Sequence, residues 1–279
     1  MIGDEQRRRI GSDTRLSILD ILLRRLFVVL FCVFCFVYPF AVIGVAFNVQ
    51  PPFSLRWAGS VLLFLEGTIL ILAAVLLYGL ASALFVSLLV IVLSYLVEVI
   101  GVNTGFPFGR YHYTDILFLH LPGGVPLAVM FAWILIVLGG YAWTRSETRS
   151  QILRPALLGA SLAALLDLAI EPVAAHVVHY WEWSPPGPIG YYGVPFANFV
   201  AWFLITLALL LLAGRFLRKR VAPDGSRTTQ LAIFAPRFLF STSLFMFGLV
   251  DLTYEYYIGA LLALFAGYLL FSITAKRVR

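Results

Sequence analysis

The chain is dominated by continuous apolar runs of about 20 residues, each long enough to cross the hydrocarbon core of a bilayer as a helix. Eight such runs are present: Leu26–Phe47, Trp57–Tyr78, Leu80–Ile100, Gly124–Trp143, Ile152–Ala174, Phe196–Phe216, Leu231–Val250 and Tyr256–Ala275. Only Tyr78-Gly79-Leu80 separates the second from the third, and a short polar turn, Asp251 to Glu255, separates the last two, so seven spans is the alternative count. The runs do not alternate apolar with polar, which excludes a membrane β-barrel. Charged residues make up 12% of the 279, about half of what a water-exposed surface requires, so a soluble globular domain is excluded as well. The expected fold is an all-α, polytopic integral membrane helix bundle.

Basic residues set the expected orientation. Arg7, Arg8, Arg9, Arg15, Arg24 and Arg25 precede the first span; Arg145, Arg149 and Arg154 lie between the fourth and fifth. Arg215, Arg218, Lys219, Arg220, Arg227 and Arg237 surround the sixth connection, and Lys276, Arg277 and Arg279 follow the last span. Eight spans put all of these on one side and leave only Arg56 and Arg110 on the other. That side is expected to be cytoplasmic, with both termini inward in a multi-pass cell-membrane protein. Residues 1–25 form a basic tail, 26–275 a single membrane domain, and 276–279 a basic end. The first apolar run is too long for a signal-peptide core and lacks a small-residue cleavage site, so it is expected to be retained. The basic clusters suit anionic lipid, not nucleic acid.

A shift of about 69 positions aligns two stretches: Glu98 with Asp167, Tyr111 with Tyr180, Gly124-Val125-Pro126 with Gly193-Val194-Pro195, and Trp133 with Trp202. Each stretch is a span, an outward loop and a returning span. This predicts parallel repeat halves over about 80–143 and 152–216, with Glu98 and Asp167 in equivalent places near one central cavity.

Six acids fall within or at the edges of the spans: Glu66, Glu98, Asp167, Glu171, Asp251 and Glu255. Acids are rare in lipid, face the bundle interior and mark function more often than they serve as helix glue. Asp167 and Glu171, four residues apart, share one helix face, and Pro172 is expected to end that helix. No basic residue is expected inside the spans to pair with them. The expected form of one or more of them is a neutral carboxylic acid, as a general acid requires. Two outward loops, Gly101–Tyr113 and His176–Pro195, carry aromatics at a density an interfacial belt explains only in part, together with Gly and Pro that fold the chain back over the bundle.

Other chemistries lack their motifs. There is no phosphate-binding P-loop, no HExxH, no GxSxG and no paired-aspartate motif for magnesium and diphosphate. Cys32 and Cys35 form a lone CxxC best read as two small side chains on one helix face. His176 and His179 lack further ligands, so no metal site is expected.

The stretch Glu98-Val-Ile-Gly-Val-Asn-Thr-Gly-Phe-Pro-Phe-Gly-Arg-Tyr-His-Tyr113 resembles the first signature of the membrane-integral carotenoid biosynthesis proteins, the carotenoid 1′,2′-hydratases of the gamma-carotene and bisanhydrobacterioruberin hydratase type. Asp167-Leu-Ala-Ile-Glu-Pro172, Tyr180-Trp-Glu-Trp183, Tyr191-Tyr-Gly-Val-Pro195, Asn198-Phe199 and Trp202 are similar to the second. The resemblance covers roughly Glu66 to Trp202. Ala201 stands where the family pattern has Gly, and Glu171 where Asp is also common.

The resemblance implies a lyase that adds water across the terminal double bond of a linear carotenoid, such as lycopene, gamma-carotene or a C50 analogue, with no cofactor. Glu98, Asp167 and Glu171 are the implied catalytic acids: one donates a proton, another stabilises charge or takes the proton of the attacking water. Tyr111, Tyr180, Trp181 and Tyr192 would shield the carbocation. Glu66, Asn103, Tyr113, Trp183, Asn198 and Trp202 complete the implied substrate-binding set. Implied partners are the carotenoid, water, membrane lipid and other enzymes of the pathway. A proton-coupled transporter and a non-catalytic carotenoid-binding partner remain the alternatives, because both also use intramembrane acids or greasy cavities.

Overall fold

The computed structural model describes residues 18–49, 51–145, 152–184, 190–217 and 225–278. Arg7, Arg8, Arg9, Arg15, Arg149, Arg218, Lys219, Arg220 and Arg279, used above for orientation, lie outside the described residues, as do positions 185–189 of the second loop.

Eight membrane-length helices are found among the described residues: α1 (Ile18–Ala46), α2 (Ala58–Tyr78), α3 (Leu80–Thr104), α4 (Leu127–Thr144), α5 (Leu153–Pro172), α6 (Phe196–Phe216), α7 (Arg227–Thr253) and α8 (Tyr257–Val278). A helix satisfies its own backbone donors and acceptors, so a continuous apolar run in lipid has no cheaper conformation. The eight-span count holds because Gly79, at φ 83°, breaks the run between α2 and α3. That left-handed angle is open to glycine at little steric cost. The Gly79 N–H still bonds Val75 O at 2.9 Å, so the break leaves this donor satisfied.

Several boundaries differ from the apolar runs. α1 takes in Ile18 to Arg25 of the expected tail, and α3 continues to Thr104. α7 starts at Arg227, where the Ser226 side chain accepts the Thr229 N–H, and contains Arg237. Arg237 falls inside the expected seventh span, Leu231–Val250, although no basic residue was expected within the spans. Its Nε donates to Ala142 O at 2.9 Å and its guanidinium lies over Trp143, so it serves the carbonyl end of α4. Pro172 is the last residue of the regular helix α5, as expected, and a π-turn, Val173–Val177, carries the chain one turn further, closed by Val178 N–H to Val173 O at 2.9 Å. The wider turn keeps carbonyls bonded beside a residue that lacks an N–H.

α4 and α5 form the centre, with 72% and 61% of their spans buried, whereas α1 and α8 lie at the edge with 22% and 28%. α4 packs on α2, α3, α5, α6 and α7; α1 touches α2 and α7; α8 touches α7 and α5. The large side chains exposed along the membrane stretch of α1 and α8 are mostly Phe, Leu, Ile, Val and Tyr, as lipid contact requires.

At one end of the bundle the α3–α4 and α5–α6 connections fold into short strands: β1 (Tyr111–Tyr113), β2 (His120–Leu121), β3 (Val125–Pro126), β4 (Trp181–Trp183), β5 (Gly190–Tyr191) and β6 (Val194–Pro195). β2 pairs with β3 and β5 with β6, each antiparallel. β1 pairs antiparallel with β4 and joins the two connections into one cap over the bundle.

Candidate functional site

The β1–β4 ladder positions the acids. Side chains alternate along a strand, so Tyr111 and Tyr113 leave one face of β1 and His112 the other. The register sets Tyr111 opposite Trp183 and Tyr113 opposite Trp181, which places four aromatic rings on the bundle side. His112 and Glu182 face away and meet at 3.4 Å, both largely exposed.

Beneath the ladder each central acid is held by three uncharged donors. Glu98 Oε2 accepts the Tyr111 hydroxyl at 2.6 Å and the Tyr113 hydroxyl at 2.9 Å, and Oε1 accepts Trp133 Nε1–H at 2.9 Å. Glu171 Oε2 accepts Trp181 Nε1–H at 2.9 Å and Trp183 Nε1–H at 3.0 Å. Its Oε1 accepts Asn198 Nδ2–H at 3.0 Å. Burial, and after it the Glu98 carboxyl, push the Tyr111 and Tyr113 phenols well above their ordinary range, so both stay protonated as donors.

The same Asn198 amide nitrogen also donates to Asp167 Oδ2 at 3.0 Å, so one side chain bridges two acids one turn apart on α5. Asp167 Oδ1 is buried without a partner. The sequence alignment equates Glu98 with Asp167. By donor set the counterpart of Glu98 is instead Glu171, because Trp181 and Trp183 do for it what Tyr111 and Tyr113 do for Glu98. The separations differ by one helical turn: Tyr111 follows Glu98 by 13 residues and Trp181 follows Glu171 by 10.

These groups border a cavity of about 120 Å³. Glu66, Glu98, Glu171, Tyr111, Tyr113, Tyr180, Trp181, Trp183, Asn198 and Trp202 line it, and most of the remaining wall is aliphatic or aromatic. Trp202 lies parallel on Trp133, with ring centroids 4.2 Å apart. Tyr180 packs so closely on Gly59 of α2 that its hydroxyl occupies the place of a β-carbon there. Burial, then the nearby Glu66, push the Tyr180 phenol up to about 12.

Two residues of the expected binding set lie elsewhere. Asn103 is exposed, and its amide bonds Val99 O of its own helix at 2.7 Å. Tyr192, at φ 48°, packs edge-on against Tyr256 at the α7–α8 turn, where its hydroxyl accepts the Ile258 N–H. Both follow from local geometry: Asn103 falls on the outer side of the last α3 turn, and a left-handed backbone turns Tyr192 away. Asp167 stands behind the cavity wall and reaches it through Asn198. Among the other acids, Glu255 is exposed, and Asp251 is fully buried against Gly259 outside the cavity.

Phe108 and, on α7, Ser243, Met246 and Phe247 also line the cavity and were not among the expected site residues. Ser243 is a polar residue in a lipid-length run, a signal that could have found it; the others look like any core residue. His176 Nε2 bonds Tyr192 O at 2.7 Å, and no group of three His, Cys, Asp or Glu side chains suited to a metal converges among the described residues.

No solved structure matches the chain. Over 115 residues it is 30% identical to the bisanhydrobacterioruberin hydratase of Haloarcula japonica, an alignment that spans 40% of this chain and only 38% of that protein. A profile of the family described as carotenoid biosynthesis proteins matches residues 58–270. That match takes in every wall of the acid-lined cavity except the Val45 side, and it establishes the chain as a member of the carotenoid biosynthesis protein family.

Proposed function

We propose that this membrane protein is a carotenoid hydratase that adds water across the terminal 1′,2′ double bond of a linear carotenoid end. The observation that carries the reading is the pairing of Glu98 and Glu171 on one greasy cavity, each held by three uncharged donors. The family match and the hydratase relative support the substrate class.

The chemistry needs an acid, a shielded cation and one positioned water. Protonating the less substituted alkene carbon leaves a tertiary carbocation. Trp202, Trp181 and Trp183 line the cavity, and an aromatic face turned to that charge contributes about 0.5–2 kcal/mol. A carboxylate of the Glu98, Asp167 and Glu171 cluster accepts the proton of the attacking water, which becomes the tertiary hydroxyl. A space of about 120 Å³ admits an end group and leaves the rest of the polyene in lipid. The paired loops of the two connections also support the repeat halves proposed above, and the basic residues support a cytoplasmic side for the opposite end.

The test is expression in cells that accumulate lycopene or gamma-carotene. The expected product is more polar and heavier by one water molecule. Asp167→Asn and Glu98→Gln should abolish it while the protein remains in the membrane. The absence of a hydroxylated product with every linear carotenoid tried would refute the reading.

A further inference from the structure

The acids of the cavity differ in what surrounds them. Glu98 and Glu171 are ringed by donors: indole N–H groups and an amide N–H that can only donate, and two tyrosine hydroxyls. Such a ring matches a carboxylate, which only accepts. Glu66 has a different setting. It comes from the middle of α2, is 4% exposed and lines the same cavity. A polar group facing it is the Ser243 hydroxyl, whose single proton is directed to Leu239 O at 3.0 Å. Ser243 is thus at most one donor to Glu66, shared with Leu239 O, where Glu98 and Glu171 each have three, so Glu66 has the least support as a carboxylate and is the best suited of the three to carry a proton. The other neighbours on that side are the apolar Leu62, Leu63 and Phe247 and two phenols, Tyr180 and Tyr38, the latter giving its proton to Thr242 O at 2.7 Å.

We propose that Glu66 is the proton donor of the hydration, with Glu171 the base that receives the proton of the attacking water; the assignment rests on the hydratase reading above. Glu66 lines the cavity from α2 and Glu171 from α5, so an alkene end seated between them meets an acid on one side and a carboxylate on the other. The Glu66 O–H bond breaks as a C–H bond forms with the alkene π electrons at the less substituted carbon. Water then bonds the tertiary cation and loses a proton to Glu171. Glu66 ends as the anion and Glu171 as the acid; return of that proton to Glu66 through water resets the site. The sum is alkene plus water giving alcohol, with no redox change.

The roles separate in heavy water, using the full-length protein in membranes and a linear carotenoid that the wild type hydrates. A donor acts before water capture. If the cation returns a hydrogen to the donor instead of capturing water, the recovered substrate carries deuterium. Glu66→Gln should lower product by at least about 100-fold and remove deuterium from the recovered substrate. Glu171→Gln should lower product and keep that deuterium. Co-purified pigment and melting temperature check that both variants are folded. Should Glu66→Gln fail this check, Glu66→Asp, which keeps an acid at a longer reach, carries the test: its solvent isotope effect on product formation should exceed that of the wild type. Product or deuterium retained in folded Glu66→Gln, or an unchanged isotope effect in Glu66→Asp, overturns the donor role and leaves hydration standing. A wild type that neither hydrates nor deuterates any linear carotenoid overturns hydration itself, and the donor role with it.

Discussion

Trp133 and Trp202 lie face to face, with ring centroids 4.2 Å apart and planes 8° from parallel. Trp133 comes from α4 and gives its indole N–H to Glu98; Trp202 comes from α6 and lines the cavity. The stack therefore fixes the position of the Glu98 carboxyl relative to the space where a substrate end would sit. Replacing Trp133 with Phe keeps an aromatic face for Trp202 but removes the donor to Glu98 Oε1. We expect product formation to fall about 10- to 100-fold, with a stability loss of about 1–3 kcal/mol from the unpaired buried oxygen. Rates in isolated membranes and melting of the purified protein check both; an unchanged rate would remove Trp133 from any role in setting the acid.

Asn198 carries more polar connections than its size suggests. Its amide nitrogen donates to Asp167 Oδ2 and Glu171 Oε1, and Asp167 Oδ1 has no partner at all. Asn198→Leu, close in volume, strips Asp167 of its remaining donor and Glu171 of one of three. The expected outcome is loss of product and a lower melting temperature, and both should be worse than for Trp133→Phe because two acids lose a donor at once. Wild-type melting in this variant would count against the bridge.

The ladder offers an internal contrast. Tyr111 and His112 are chain neighbours on opposite faces of β1: one bonds buried Glu98, the other meets exposed Glu182. Tyr111→Phe should reduce product at least about tenfold, whereas His112→Ala or Glu182→Ala should change neither rate nor stability by more than about 1 kcal/mol, the ceiling for an exposed pair. Product yields of the three variants measured side by side check the facing of the strand.

Much of this was legible in the sequence because lipid leaves few options. Apolar runs of that length must be helices, and intramembrane acids such as Glu98 and Glu171 must face inward, so the eight spans and the acid-bearing interior followed. The alternation in Tyr111-His112-Tyr113 and Trp181-Glu182-Trp183 is visible too, but three-residue strands pair across 70 residues of chain, and no local pattern reveals the partner. That is why Glu98 aligned with Asp167 when its counterpart in donors is Glu171. Arg237 lay within the expected seventh span, but what it does there was not legible, because the carbonyl it serves is on α4, far away in the chain. Asn103 sits inside the first signature yet points outward, because motif membership carries no information about helix face.

Asp251 gives a prediction about packing instead of chemistry. Its carboxyl is fully buried, both oxygens lack partners, and an added β-carbon on Gly259 of α8 would sit against Oδ2. The α7–α8 approach thus depends on a glycine opposite an acid that gains no hydrogen bond there. Gly259→Ala should destabilise the bundle by about 1–3 kcal/mol through overpacking. In an Asp251→Ala background the same change should be close to neutral, since the colliding atoms are gone, and the single Asp251→Ala variant should melt no lower than wild type because it removes buried, unpaired oxygens. Melting of the four proteins in one detergent gives the coupling energy directly. Additive losses would mean that Gly259 is needed for something other than room for Asp251.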